Sequence, residues 1–381
     1  MANSAGVRQD KVRYFVADLE AAVGTFEYVA ELTGVSPTPT GSELRIPARG
    51  ESRLAATDAE MISNAEAIDG LAGSIASTRG AIGMGGTLVT ELRADGPTIV
   101  FPWHVKTLLA SGFEASAYAD PALTLIPSTK ALTAWASETG GIKSPASCSI
   151  VEAMIDNHTK DEWTGAMGAV LATKINLATN GLVTYESTIT GQVANDILTN
   201  VAPTSLSGFG GIPTNQGTDP IVVKGAALVI KYIDDDSPSG VVITPDRFRN
   251  LEIDLAPNIV RVEDPTAANG FAVSPVFYDG AIGVNLQFAD SSDYDNSVTG
   301  GTIMAGFKSG RGFLSIELTL TLNDAISANQ TIKYTLPSVQ YDAVREDAEG
   351  ARAFTFTGSA VRTNRGSATS PMTVVYTHGT A

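Results

Sequence analysis

Two stretches of this chain, 194 residues apart, lay down one pattern: Gly86, Leu88, Leu92, Leu109, Gly112 and Phe113 fall opposite Gly280, Ile282, Leu286, Ile303, Gly306 and Phe307 without a gap. Each stretch reads as a strand, an intervening segment and a short apolar turn closed by Gly-Phe. Later landmarks recur in the same order, Ser149-Ile150 with Ser315-Ile316 at an offset of 166 and Thr190-Gly191 with Thr357-Gly358 at 167. Only four of the 28 ungapped positions are identical, so the order of landmarks carries the match. The pattern predicts one module written twice. Tandem copies give a chain two near-equivalent surfaces, which suits closed rings and stacked arrays.

Size agrees with duplication. A chain of 381 residues exceeds one ordinary core and accommodates two domains of about 150 to 200 residues each. The stretch from Ala202 to Pro220 contains Ser207-Gly208-Phe209-Gly210-Gly211 and has linker chemistry. The expected division is therefore a first β domain with an N-terminal arm over 1–205, a linker over 206–220 and a second β domain over 221–381.

Strand signals dominate. Alternation of apolar and polar residues marks Thr87 to Arg93, Leu182 to Ile189, Ala227 to Ile233, Asn250 to Leu255, Ala281 to Gln287 and Phe313 to Leu322. Many short strands punctuated by 37 glycines and 18 prolines predict antiparallel β-sandwich or barrel modules, with one short helix and long loops in each. The best helix signal is Pro102 to Ala110, with Pro near the first turn and Val105, Leu108 and Leu109 on one face. Leu54 to Ile68 has helix-forming composition without an apolar stripe and reads as a mobile or partner-ordered segment. Long loops such as Ala289 to Gly301 and Arg345 to Gly350 are expected to order against neighbouring chains.

Charge narrows the function classes. The balance of 25 Lys and Arg against 41 Asp and Glu gives a formal charge of −16, which opposes binding of nucleic acid through phosphate neutralisation. The single cysteine, Cys148, excludes an internal disulfide and a multi-thiolate metal site, and reads as a buried strand residue. Met1 to Lys11 lacks the apolar core of a signal peptide, and no apolar run approaches the ~20 residues of a membrane helix. The expectation is a soluble protein made in the cytoplasm.

No spacing supports an enzyme class. His104, His158 and His378 are too few and scattered for a triad or metal centre, and read as surface or packed imidazoles. Gly80 to Gly86 lacks the order and the lysine of phosphate-binding loops, and reads as a flexible lead into the next strand. Asp234-Asp235-Asp236 lacks the alternate-position acids and distal Glu of a calcium loop and reads as a solvated turn. Asn157-His158-Thr159 and Asn329-Gln330-Thr331 match glycosylation sequons without a secretory signal. Trp103, Trp163 and the tyrosines are dispersed rather than clustered as a carbohydrate platform. No catalytic, cofactor-binding or metal-binding residue is assigned, and no cofactor is expected.

The order of features resembles the tail tube proteins of long-tailed, non-contractile bacteriophages, particularly the larger two-domain members. The likeness is carried by Gly85-Gly86-Thr87-Leu88-Val89-Thr90-Glu91-Leu92-Arg93, Cys148-Ser149-Ile150-Val151-Glu152, Trp163-Thr164-Gly165-Ala166 and Asn180-Gly181-Leu182-Val183-Thr184 leading into Thr190-Gly191. In the second half it is carried by Leu251-Glu252-Ile253-Asp254-Leu255-Ala256-Pro257-Asn258-Ile259 and Thr335-Leu336-Pro337-Ser338-Val339. It spans most of residues 30 to 376, and finds no counterpart in the first 50 residues or between 113 and 148.

The resemblance implies β-sandwich domains around a central channel, three chains supplying six modules per ring, and rings stacked into a tube. Implied partners are other copies of the chain, the tape measure protein, the tail terminator and the distal tail proteins. DNA would pass through the lumen without specific binding, no membrane insertion is implied, and the mature location would be the virion tail. Two alternatives stay open: another phage tail or capsid component, such as a terminator or baseplate ring, and a β-sandwich adhesin or carbohydrate-binding protein.

Overall fold

A computed structural model describes residues 12–20, 44–46, 48–56, 61–62, 78–79, 83–95, 102–128, 138–139, 142–143, 146–155, 161–178, 181–193, 199–201, 216–220, 227–233, 241–243, 248–255, 258–260, 277–279, 282–289, 313–322, 330–347, 353–362 and 370–378. The fold is mainly β. Eighteen strands join in one large sheet, and every ladder in it is antiparallel. In chain order these are β1 (Val12–Leu19), β2 (Leu44–Ile46), β3 (Arg53–Ala56), β4 (Gly83–Glu91), β5 (Phe113–Ala119), β6 (Ala122–Pro127), β7 (Cys148–Ile155), β8 (Asp161–Ala178), β9 (Val183–Val193) and β10 (Thr199–Val201). They continue as β11 (Ala227–Ile233), β12 (Val241–Ile243), β13 (Phe248–Asp254), β14 (Ile282–Ala289), β15 (Phe313–Thr321), β16 (Thr331–Asp347), β17 (Ala353–Ala360) and β18 (Thr373–Thr377).

Alternation explains these strands. In β15 the even-numbered positions Leu314, Ile316, Leu318 and Leu320 are buried while their neighbours are not, the period-two pattern of a sheet with one covered face. Leu88, Leu92, Ile282 and Leu286 are all core-facing, as their spacing predicts. Of the stretch read as a flexible lead, Gly83 to Gly86 belong to β4 itself, while residues 80–82 lie outside the described residues. Gly86 has φ +154°, and a Cβ there would lie 2.1 Å from the Arg53 carbonyl oxygen of β3, so this close approach of two strands requires glycine.

Helix α1 (Trp103–Ala110) follows Pro102 as the sequence predicts, and all eight of its residues are buried. Its single cation, Lys106, meets Asp18 of β1 at 2.6 Å, which offsets the cost of burying the ammonium. The expectation for Leu54 to Ile68 needs correction where it can be tested. Leu54 to Ala56 form part of β3, and Met61–Ile62 pair with Thr78–Arg79. Pairing to β4 and burial of Leu54 override the helix-forming composition. The remainder of that segment, the loops 289–301 and 345–350 for the most part, and the apolar turn read at Ile303 to Phe307 lie outside the described residues.

The pairing order occurs twice. Strands run β2-β1-β7-β8-β9-β4-β3 in the first half and β12-β11-β15-β16-β17-β14-β13 in the second. Even an irregularity repeats: Cys148 and Ile150 face Ala169 and Ala166, and Leu314 and Ile316 face Val339 and Leu336, each with a register shift between. Ser149-Ile150 and Ser315-Ile316 thus occupy matching rungs. The gapless 194-residue offset does not survive in β4 and β14. Thr190 and Gly191 of β9 face Gly85 and Met84, and Thr357 and Gly358 of β17 face Asn285 and Val284, so on that landmark Leu88 does not correspond to Ile282.

Two hydrophobic clusters fill the fold. One lies within the first half, around Phe15, Leu54, Leu88, Ile150 and Leu171. The larger unites α1, Leu123, Leu125 and Tyr185 with Leu286, Leu318, Tyr334 and Tyr376 of the second half. The β5–β6 hairpin reaches across to pair Ala122 to Leu125 with Val374 to Thr377 of β18. At the end of the stretch read as linker, Gln216–Pro220 pairs with Arg93–Asp95.

Candidate assembly surface

The two halves are joined along a single run of eight strands, β3-β4-β9-β8-β13-β14-β17-β16. Its centre is the ladder in which Lys174, Ile175, Asn176, Leu177 and Ala178 of β8 face Asp254, Ile253, Glu252, Leu251 and Asn250 of β13. Successive rungs therefore carry side chains from both halves.

One face of this run is apolar. Tyr185, Ile175, Ile253 and Val284 lie on one rung across four strands, and all are buried. Below them Ser111, Thr173 and Ser187 form a buried hydroxyl chain with contacts of 2.7 Å and 2.9 Å, which satisfies the polar groups that α1 covers. Tyr185 and Tyr334, one from each half, share a hydrogen bond between their hydroxyls inside the core. Burial raises both phenol pKa values, so both stay protonated.

The opposite face is polar over β8, β9, β13, β14 and β17, while β4 contributes the buried Val89 opposite Glu186. Glu186, Thr188 and Thr357 are exposed, and Lys174, Asn176, Glu252, Asp254 and Asn285 are partly so. Lys174 lies 3.3 Å from Glu252 and directly opposite both Glu186 and Asp254. Partial burial pulls its pKa down, but the Glu252 hydrogen bond and charge, with Asp254 and Glu186, leave it above the ordinary lysine value. This cation offsets part of a local surplus of carboxylates. At the margin, Glu91 is held by Arg93 at 2.8 Å and by Arg49 at 3.9 Å.

A second buried polar cluster fixes the β7–β8 irregularity. The Glu20 carboxylate accepts hydrogen bonds from the Ser147 and Ser149 hydroxyls at 2.6 Å and 2.9 Å and from the Gly168 N–H at 2.6 Å. Gly168 has φ +55°, and its N–H is the donor that the irregular ladder leaves without a strand partner. The sequence carries no signal for this role, because Glu20 lies far along the chain from the strands it ties.

The residues singled out by sequence do not converge. His104 sits in α1, packed edge-on against Tyr376 at 5.3 Å, and burial lowers its pKa to about 3. His378 meets Asp120 at 2.7 Å at the surface, while His158 and Asp234 to Asp236 lie outside the described residues. Cys148 is buried as expected, and burial, with Glu20 and Asp18, raises its thiol pKa. Among the described residues no group of His, Cys, Asp and Glu is placed to hold a metal ion, and no helix is long and apolar enough to cross a membrane. No protein-family model matches this chain, and no curated protein matches its sequence.

His104 makes folding acid-sensitive. Its folded-state pKa of about 3 lies below the value of 6.5 in the unfolded chain, so the unfolded state binds more protons between those limits. Stability from this group is complete above pH 6.5 and is lost on acidification at up to about 1.4 kcal/mol per pH unit. Urea denaturation at pH 7 and pH 5 should show a smaller pH dependence for His104→Phe than for the parent chain. An equal dependence in both would contradict the burial of a neutral imidazole.

Proposed function

We infer that this chain is a structural virion protein, a two-module tail tube subunit that assembles as trimeric, pseudo-hexameric rings stacked into a hollow tube. The observation that carries the reading is the eight-strand run: four strands from each half, in the same order, with one face sealed by core and the other polar over β8, β9, β13, β14 and β17. Such a sheet is suited to curve into a channel wall, since alternate residues serve core and lumen along every strand. The two modules comprise 1–205 and 221–381, with 206–220 between them.

On this reading Glu186, Glu252 and Asp254 line the lumen, with Lys174 and the neutral Thr188, Asn176, Asn285 and Thr357. The surplus of carboxylates repels phosphate and lets DNA slide without being held. The tape measure protein occupies the same channel before DNA passes, and terminator and distal tail proteins meet the tube ends. Negative-stain imaging of the concentrated, purified protein tests the assignment. Hollow tubes or stacked rings are expected, and particles that stay monomeric at every concentration would overturn it.

The same electrostatics predict negligible DNA affinity. Retention of duplex DNA at about 150 mM salt with a dissociation constant in the micromolar range or tighter, the behaviour of ordinary non-specific binders, would refute a slippery channel. The expected result is no measurable retention.

A further inference from the structure

The β5–β6 hairpin belongs to the first half by sequence and to the second by contact. It lies in the stretch, 113 to 148, for which the tail tube resemblance offers no counterpart. Ala122, Leu123, Thr124 and Leu125 of β6 face Thr377, Tyr376, Val375 and Val374 of β18, so the hairpin extends the second half's sheet in the order β15-β16-β18-β6-β5. We propose that residues 102–128, α1 together with this hairpin, form a strap that fastens the two halves, and that its docking on β18 controls opening of the β8–β13 joint. The strap is a device of the single chain, so it goes beyond the ring reading and does not depend on it.

The root of the strap is fixed in the first half. Lys106 of α1 meets Asp18 of β1 at 2.6 Å, the Ser111 hydroxyl lies 2.7 Å from that of Thr173 on β8, and the Leu109 carbonyl accepts from the Ala146 N–H at 3.2 Å. The Ser128 N–H donates to the Gly112 carbonyl at 2.8 Å and closes the base of the hairpin. The tip is fixed in the second half. There the His378 N–H donates to the Pro121 carbonyl at 3.0 Å, and the His378 ring lies 2.7 Å from the Asp120 carboxylate. Between root and tip, the fully buried Leu108, Leu123 and Leu125 share one cluster with Tyr334 and Tyr376.

The joint that the strap spans is short. Its ladder comprises five residue pairs, from Lys174 with Asp254 to Ala178 with Asn250. Root and joint meet at one residue: Thr173 contacts Ser111 through its hydroxyl, and its carbonyl accepts from the Leu255 N–H at 2.9 Å, just past the end of β13. A docked tip therefore holds the second half against the same residue that anchors the root. Undocking uncovers Leu123, Leu125 and Tyr376 and leaves a brief ladder to carry the load, the kind of unit that opens locally before the whole fold does. The element that couples dock and joint is thus a contiguous packed segment with a docked and an undocked state.

A reversible disulfide tests this in the full chain. Thr124 and Val375 face each other across the dock and both are partly exposed. Thr124→Cys with Val375→Cys should close on oxidation, since directly opposed strand positions satisfy disulfide geometry, and the buried Cys148 leaves the introduced thiols as the reactive pair. Amide exchange is then followed at the joint, residues 174–178 and 250–254, and at the β1–β7 ladder, residues 15–17 and 150–152, as the reference for global unfolding. Oxidation should slow the joint about tenfold or more relative to the reference, and reduction should reverse it. Slowing of both ladders by one factor would mean that the joint opens only with the whole fold, and no slowing at the joint would mean that it ignores the dock; either result would overturn the strap. A second variant covers poor folding of the first: Asp120→Ala with His378→Ala loosens the tip and should speed exchange at the joint while the reference stays unchanged. Faster exchange confined to 113–127 and 373–378 would contradict the coupling.

Discussion

Leu286→Asp abolishes soluble folding. Leu286 is 1% exposed in the middle of β14, with Leu251 of β13 on one side and Phe356 of β17 on the other. The substitution forfeits about 2 to 3 kcal/mol of apolar burial and places a carboxylate between the buried Leu251 and Phe356. An unpaired buried charge adds several kcal/mol more, so the total rivals the 5–15 kcal/mol that stabilises a typical domain. Because β14 lies in the run that connects the halves, the damage reaches the shared core. Leu92→Asp, at a fully buried position, has the same expected outcome. Soluble yield and near-ultraviolet circular dichroism report the effect, and parental values for either variant would contradict the core assignment.

Glu20→Ala removes three hydrogen bonds at one stroke. The Ser147 and Ser149 hydroxyls and the Gly168 N–H lose their shared acceptor in a site where Glu20 itself is 2% exposed. Leaving buried donors unsatisfied costs about 1–3 kcal/mol each where water cannot enter, so a loss of about 3 kcal/mol or more is expected after relaxation. Glu20→Gln retains one acceptor oxygen and should lose less. Denaturant midpoints for the two variants give the comparison. A Glu20→Ala protein as stable as its parent would show that the β7–β8 irregularity holds without the carboxylate.

Local structure was legible where the sequence carried its own period. The alternation from Phe313 to Leu322 marks β15, and Pro102 with Val105, Leu108 and Leu109 marks α1. The burial of Cys148 followed from its setting in an apolar strand. Residues 54–56 defeated the reading because pairing to β4, a tertiary contact, outweighs the helix propensity of Leu and Ala. The rung shift between β4 and β14 was hidden because a bulge inserts a residue without leaving a mark that two diverged copies share.

The assembly surface was the least legible feature. Alternation in β8 separates Ile175 and Leu177 from Lys174 and Asn176, but not which strand lies beside them. The β8–β13 ladder and the docking of β6 on β18 are contacts of long sequence separation, set by packing of the two halves over α1. Glu20 and Glu152 read in sequence as two of 41 acids, and only the folded chain shows each carboxylate meeting a backbone donor far along the chain, Gly168 and Leu54 respectively.

Cryo-electron microscopy of assembled particles, with symmetry determined from end-on views, tests the central claim most directly. The account predicts a hollow tube of three-fold rings, each holding three chains whose six modules surround the channel with the polar face of the eight-strand run turned inward. Rings of six or twelve whole chains, or a wall that presents the Tyr185 to Val284 face to the lumen, would contradict it.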